Sequence, residues 1–194
     1  LTEDLDIIGG LRYSWVRMDA NKVKTVGAID EDWNAVTSSF HLVNRFTEDI
    51  NGFIGISQGF RAPNLSDSTR DDEFGSSGTE EPTADLDPEY FTTLEAGLNV
   101  TKENYNLQLS VFHTDIKDMI VRQKNSSNKR NLDGWSNGIE LAGEYWISEQ
   151  WSVFGNLSYI DTHLRNHIDR DANNGYQDDH LSKVPPLNGI AGLK

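Results

Sequence analysis

The sequence predicts an all-β fold made of antiparallel transmembrane β-barrel strands, about eight of them. Three observations carry this. Period-two alternation of apolar and polar residues recurs along the chain, whereas helical periodicity is poor throughout. The connections between alternating segments are short and long in turn. Several Tyr and Trp residues sit where strands meet turns, as interfacial anchors do. The mean hydropathy of −0.59 and the lack of any apolar run near ~20 residues exclude membrane-spanning helices. They do not exclude barrel strands, whose alternation averages out as polar.

The first segment reads Leu5, Ile7, Gly9, Leu11, Tyr13, Trp15 at its odd positions and Asp6, Ile8, Gly10, Arg12, Ser14 between them. Further alternating segments run over about 35–46, 50–60, 88–101, 104–122, 130–147, 150–164 and 183–194. Tight turns follow the second, fourth and sixth: Thr47-Glu48-Asp49, Lys102-Glu103 and Ser148-Glu149. Long polar connections follow the first, third and seventh, over about 19–34, 61–87 and 165–182, and the fifth leads into the polar QKNSSNKR. One end of the sheet thus carries turns and the other carries loops, the plan of outer-membrane barrels.

The faces supply a second test. The fourth segment sets Tyr90, Thr92, Leu94, Ala96, Leu98 and Val100 against Thr93, Glu95, Gly97 and Asn99. The sixth sets Trp135, Asn137, Ile139, Leu141, Gly143 and Tyr145 against Gly138, Glu140, Ala142 and Glu144. The seventh sets Trp151, Val153, Leu157 and Tyr159 against Ser152, Asn156 and Ser158, with Phe154 and Ile160 interrupting the polar side. Eight residues at ~3.3 Å each, tilted by ~40°, span roughly 20 Å, close to the ~25 Å apolar band of an outer-membrane barrel.

Composition bounds the function classes. The net charge of −14 argues against nucleic acid as a partner, because phosphate binding needs clustered Lys and Arg. Cysteine is absent, which removes disulfides and thiolate metal sites. The first residue is Leu1 and no signal peptide precedes the first alternating segment, so either a leader has been removed or the chain is an internal piece of a longer polypeptide.

Catalytic chemistry finds little support. Gly55-Ile56-Ser57-Gln58-Gly59 fits the G-x-S-x-G pattern of a nucleophile elbow, but Ser57 lies inside an alternating segment. No helix signal follows it, since Pro63 and the Ser/Asp-rich stretch beyond are loop formers. The five histidines include no helical metal-ligand pair; His163, His167 and His180 share one loop region and read as surface residues. In the same loop Asp169, Asp171 and Asn173 have the one, three and five spacing of a calcium loop. Asn174 stands where glycine is needed and His180 where a bidentate Glu is needed, so a hydrated acidic loop is the preferred reading and calcium the alternative. No other cofactor is implied, and no catalytic residue is assigned.

Four segments in order, GFRAPNLSD at 59–67, LDPEYFTTLEAGL at 86–98, VFHTDIKDMIV at 111–121 and GWSNGIELAGEYWIS at 134–148, followed by KVPPL at 183–187, resemble the barrel of TonB-dependent outer-membrane receptors. The resemblance implies a 22-stranded barrel of the bacterial outer membrane, filled by a plug. It also implies uptake of a scarce ligand, such as a siderophore, cobalamin or oligosaccharide, with energy from TonB–ExbB–ExbD acting through that plug. The expected partners are this complex, the small-molecule ligand, and the lipid and lipopolysaccharide around the barrel. Eight strands form about a third of such a barrel, so the chain resembles an interior slice from which plug and last strands are missing. Arg61 and Asn64 are expected at the outer mouth, and Arg12, Glu95, Glu140 and Glu144 on the lumen side toward the plug. Haem receptors of the family place a His between FRAP and a later NP-x-L; here no His lies between Phe60 and Pro88, and haem is not implied.

Two other architectures fit the same strands. A complete eight-stranded barrel acting as an adhesin or anchor requires the first and last strands to pair. A soluble β-sandwich binding module requires Leu94, Leu141, Trp151 and Leu157 to be buried between two layers.

Overall fold

In the computed structural model, which describes residues 4–73, 79–122, 128–165 and 184–194, one antiparallel sheet dominates. Its strands are β1 (Leu5–Val23), β2 (Gly27–Arg45), β3 (Ile50–Arg61), β6 (Glu89–Lys102), β7 (Tyr105–Arg122), β8 (Lys129–Ser148), β9 (Trp151–Leu164) and β10 (Leu187–Leu193). They follow one another in chain order across an eight-stranded meander. The segment between β3 and β6 carries a single helical turn, α1 (Leu65–Thr69), and a two-stranded ribbon, β4 (Asp72–Glu73) with β5 (Thr79–Glu80). No described helix is long and apolar enough to cross a membrane; any crossing is made by strands.

Cross-strand partners share a face of an antiparallel sheet, so the register identifies both faces completely. One face carries an apolar band that crosses the sheet from edge to edge and gives way toward the loop end to His113, Asp115, Asn137 and Asp161 on β7 to β9. A single row across it reads Ile7, Leu42, Ile54, Ala96, Val111, Ile139, Tyr159 and Leu187. These side chains meet no second layer: Leu94 and Leu157 are 51% exposed, Leu141 42% and Trp151 53%. A sandwich would bury them, and the soluble-module architecture is thereby overturned. The closed eight-stranded barrel is overturned as well, because β1 and β10 occupy opposite edges and do not pair.

The apolar band climbs across the sheet. Its aromatic limit at the loop end is Trp15 on β1, Trp135 on β8 (in the row of Leu11) and Tyr159 on β9 (in the row of Ile7). The limit therefore slips eight residues along β1 over six strand-to-strand steps. At about 3.3 Å per residue and about 4.8 Å per step this is a strand tilt of roughly 40°, the value that barrel closure demands. At the other limit Phe46, the cross-strand pair Tyr105 and Tyr145, and Trp151 line the turn end. On β8 the two limits, Trp135 and Tyr145, lie ten residues apart, roughly 25 Å of height at that tilt.

The chain departs from its sequence pattern mainly at β1 and β2. The connection expected over 19–34 is instead a β-hairpin closed by Lys24-Thr25-Val26, with Thr25 at φ 67° and Gly27 at φ 93°. Beyond Trp15 the hairpin projects past the apolar band, so both of its faces carry charged residues and the alternation fades. It holds together through the packing of Met18, Val23 and Ile29, with Ala20, Val26 and Trp33 against them, and through the Arg17–Asp30 ion pair at 2.9 Å.

Candidate functional site

The second face is polar, and its rows are built from small and hydrogen-bonding residues. One row reads Ser39, Ser57, Thr93, Thr114, Ser136 and Thr162, with the Thr93 and Thr114 hydroxyls 2.9 Å apart. Ser57, the centre of the G-x-S-x-G match, is one hydroxyl of this row and lies mid-strand with no strained turn; the stretch expected to be loop does hold a helical turn, α1, but it starts eight residues on, beyond the end of β3, and is not opened by a turn at Ser57. A second row contains His41, Gly55, Glu95, Phe112 and Gly138. Gly55 leaves room for the His41 ring to lean across β3, which brings its Nδ1 to 3.7 Å from Glu95 Oε1. Phe53, Phe112 and Phe154 lie over Gly97, Gly138 and Gly192 in the same manner. Large rings laid flat on glycine backbone keep this wall shallow and leave the space above it open.

Arg12, Glu95, Glu140 and Glu144 all lie on this polar face. They are not gathered into one cluster. Glu95 faces His41; Glu144 accepts a hydrogen bond from the buried Ser152 hydroxyl at 2.6 Å; Arg12 and Glu140 point from the wall with no ion pair among the described residues.

Arg61 and Asn64 stand at the loop end, where β3 turns into α1, and the structure gives both a positioning task. The Arg61 guanidinium forks onto Glu89, with Nε and Nη2 donating to its two carboxylate oxygens, the second at 2.7 Å. Its Nη1 donates to Asp67 Oδ2 at 2.8 Å. Glu89 is almost fully buried, its side chain 5% exposed, and also accepts from the Ile120 backbone N–H at 2.7 Å. Lys129 on β8 reaches Asp67 Oδ1 at 3.2 Å and the Ser66 carbonyl at 3.0 Å. Asn64 caps α1: its side-chain oxygen accepts from the Asp67 N–H at 3.0 Å while Asp67 Oδ2 accepts from the Asn64 N–H at 3.2 Å, a reciprocal capping box. Burial raises the Asp67 carboxyl, but hydrogen bonds from Arg61 and Asn64 and the charges of Arg61 and Lys129 outweigh it and hold the group below its ordinary value. Two cations and two carboxylates thus tie β3, α1, β6 and β8 together at the loop end of the sheet.

Sequence reasoning missed Glu89, Asp67 and Lys129 as parts of this clamp. Their signals were present as separate charges, 22 to 62 residues apart, and only strand pairing brings Arg61 opposite Glu89. Asn131 is a second such residue. Its amide oxygen accepts from the Asp87 N–H at 2.9 Å and its nitrogen donates to the Asp87 carbonyl at 2.8 Å, pinning the approach to β6 against β8. Asp169, Asp171 and Asn173 lie outside the described residues, and no group of three or more potential metal ligands occurs among the described ones.

The comparisons with known proteins agree with this geometry. The structure superposes on the copper transporter OprC with a TM-score of 0.74 at 18% identity, over 100% of this chain and 30% of that one. It superposes on the ferric yersiniabactin uptake receptor FyuA from Yersinia pestis with a TM-score of 0.68 at 18% identity, over 100% and 29%. For the siderophore receptor PiuA from Acinetobacter baumannii the TM-score is 0.68 at 18% identity, over 99% and 28%. The chain spans about 30% of the length of these structures, which share its fold. The family model described as "TonB dependent receptor-like, beta-barrel" matches residues 1–194. The chain belongs to the β-barrel family of TonB-dependent receptors.

Proposed function

We propose that this chain is a wall segment of an outer-membrane receptor that takes up a scarce small ligand with energy from TonB–ExbB–ExbD, delivered through a plug. A single observation carries the reading: one sheet with an apolar band that crosses one face from edge to edge, bounded on β8 by aromatics about 25 Å apart, and an opposite face of hydroxyls, amides and charges. Such a wall separates lipid from a filled, hydrated interior. In this reading the apolar face meets lipid and the fatty chains of lipopolysaccharide. Glu95, Glu140 and Glu144 face the plug, and the clamp of Arg61, Glu89, Asp67 and Lys129 shapes the outer mouth. The ligand class is a chelated metal, in keeping with the ferric siderophore and copper transporters that share the fold.

Uptake of radioactive iron and copper by cells carrying the full receptor, with and without an intact TonB complex, tests the proposal. Accumulation that depends on both receptor and complex is expected. Receptor-dependent accumulation that persists without the complex contradicts it. At the wall itself, Glu140→Leu is expected to weaken plug seating, read as increased passive permeability to small solutes. Unchanged permeability places Glu140 elsewhere.

A further inference from the structure

The apolar face is not level. Toward its turn end a groove of about 530 Å³ crosses from β2 to β7, within the size range of clefts that hold small molecules. Its floor is low because Gly52 on β3 and Ala96 on β6 carry little or no side chain, while Phe46 walls it on the β2 side and Leu109 on β7. The Phe46 ring leans over Gly52, where a Cβ would come within 2.7 Å of it. A single side-chain amide lines the groove, that of Asn44, which the register sets beside Gly52. Leu98, Val100 and Lys102 share one parity on β6, so Lys102 ends the groove on the same face, beside Tyr105 and roughly 13 Å from Leu98. The Lys102 ammonium donates to Asp49 Oδ2 from the turn between β2 and β3, and both groups stay half-exposed. A second groove of about 540 Å³ lies on the same face where Gly143, Gly155 and Ala191 stand side by side. Its turn end carries Tyr145 and no ion pair among the described residues.

Within a bilayer an apolar wall gains nothing by leaving water, so what a groove offers a fatty chain is dispersion contact on several sides at once. Selection among lipids then falls to the polar groups at its end. An ammonium has three N–H donors and Asp49 engages one of them, which leaves donors for a phosphate; the carboxylate has a second oxygen that can accept from an amine. The pair thus matches both charges of a zwitterionic head group, phosphate toward Lys102 and ammonium toward Asp49. Asn44, deeper in the groove, has an amide N–H suited to the ester carbonyl at the root of the chain. The turn end of an outer-membrane barrel is periplasmic, the side of phospholipid rather than lipopolysaccharide. We infer that this groove is a binding site for one phospholipid with a primary-amine head group, its acyl chain lying over Gly52 and Ala96 and its head group on the Lys102–Asp49 pair. The second groove, without such a pair, exchanges its lipid freely.

The test uses the full receptor in detergent micelles, stripped of native lipid and offered phosphatidylethanolamine, phosphatidylcholine or lipopolysaccharide, with native mass spectrometry counting what is retained. One phosphatidylethanolamine per receptor is expected, held more firmly than phosphatidylcholine, whose quaternary amine has no N–H to give Asp49. Lys102→Gln should weaken that retention about tenfold, the worth of one charge-assisted hydrogen bond. Ala96→Phe, which fills the groove, should abolish it, and Ala191→Phe, which fills the second groove, should leave it unchanged. Lys102 stands at an exposed strand end, so Lys102→Gln decides the matter even if Ala96→Phe fails to fold. The inference is overturned if no phosphatidylethanolamine is retained, if Lys102→Gln retains as much as the unmodified receptor, or if phosphatidylcholine is held equally. It is also overturned if Ala191→Phe lowers retention as far as Ala96→Phe, or if lipopolysaccharide or a second receptor copy takes the groove instead. The inference rests on the apolar face meeting lipid. Were that false, Leu157→Arg on the same face would cost no stability in lipid vesicles either; lost retention with that penalty intact overturns the groove alone.

Discussion

Arg61 shows how one residue can organise the loop end of a sheet. Its three donor nitrogens serve two carboxylates on two elements, one of them the buried Glu89. Arg61→Ala removes a charge-assisted pairing worth about 2 kcal/mol and leaves Glu89 with the Ile120 N–H as its one donor among the described residues. A drop in the melting temperature of the folded receptor in detergent is expected; an unchanged value contradicts the clamp. Asp67 sets the acid limit of the same unit. Its folded pKa lies below its ordinary value of 3.8, so its contribution to stability is fully present above that value and is lost as pH falls through the lower folded one. Proteolysis of the segment between β3 and β6 should therefore accelerate as pH falls below 3.8. In Asp67→Asn it should already be fast at neutral pH and change less with acid.

At the scale of the strand, function is a matter of parity. On β9, Leu157 faces the apolar side and Asn156 the polar side, one residue apart. Leu157→Arg should cost about 2–4 kcal/mol of folding stability in lipid vesicles if it lies near the bilayer midplane, whereas Asn156→Arg should cost little. Equal penalties would mean that the sheet does not divide lipid from a polar interior. Close approach makes a second demand. A Cβ on Gly97 would sit 2.7 Å from the Leu109 carbonyl oxygen and against the Phe53 ring. Gly97→Ala is expected to destabilise by about 1–3 kcal/mol, read in the same refolding assay, because backbone cannot swing aside as a side chain can. The β1–β2 hairpin beyond Trp15 follows other rules. There the apolar contacts are Met18, Val23 and Ile29, and no lipid face constrains the pattern, which is why alternation alone placed a connection over a stretch that is strand.

The whole molecule is an open sheet, and its two edges carry the architectural claim. The chain has no cysteine, so introduced pairs report cleanly. Leu109→Cys with Leu141→Cys, direct partners across β7 and β8, should cross-link rapidly in the folded receptor. Leu11→Cys with Ala191→Cys, on the apolar face of β1 and β10, should not, because six strands stand between them. Efficient cross-linking of the second pair would revive the closed eight-stranded barrel.

Alternation of Leu, Ile, Val and Tyr with Ser, Thr, Asn and Glu was enough, without coordinates, to specify strands, their number, the lipid-facing parity and the end that carries turns. These properties depend on neighbours two residues apart, and the side-chain period of a strand is two. What only the tertiary structure decided is which distant charges meet. Register set Arg61 opposite Glu89, and the fold of α1 carried Asp67 to Lys129. The same pairing turned an expected loop into a hairpin and left β1 and β10 apart. Such contacts join residues tens of positions apart across strands about 4.8 Å from one another, and no local pattern encodes a distance of that kind.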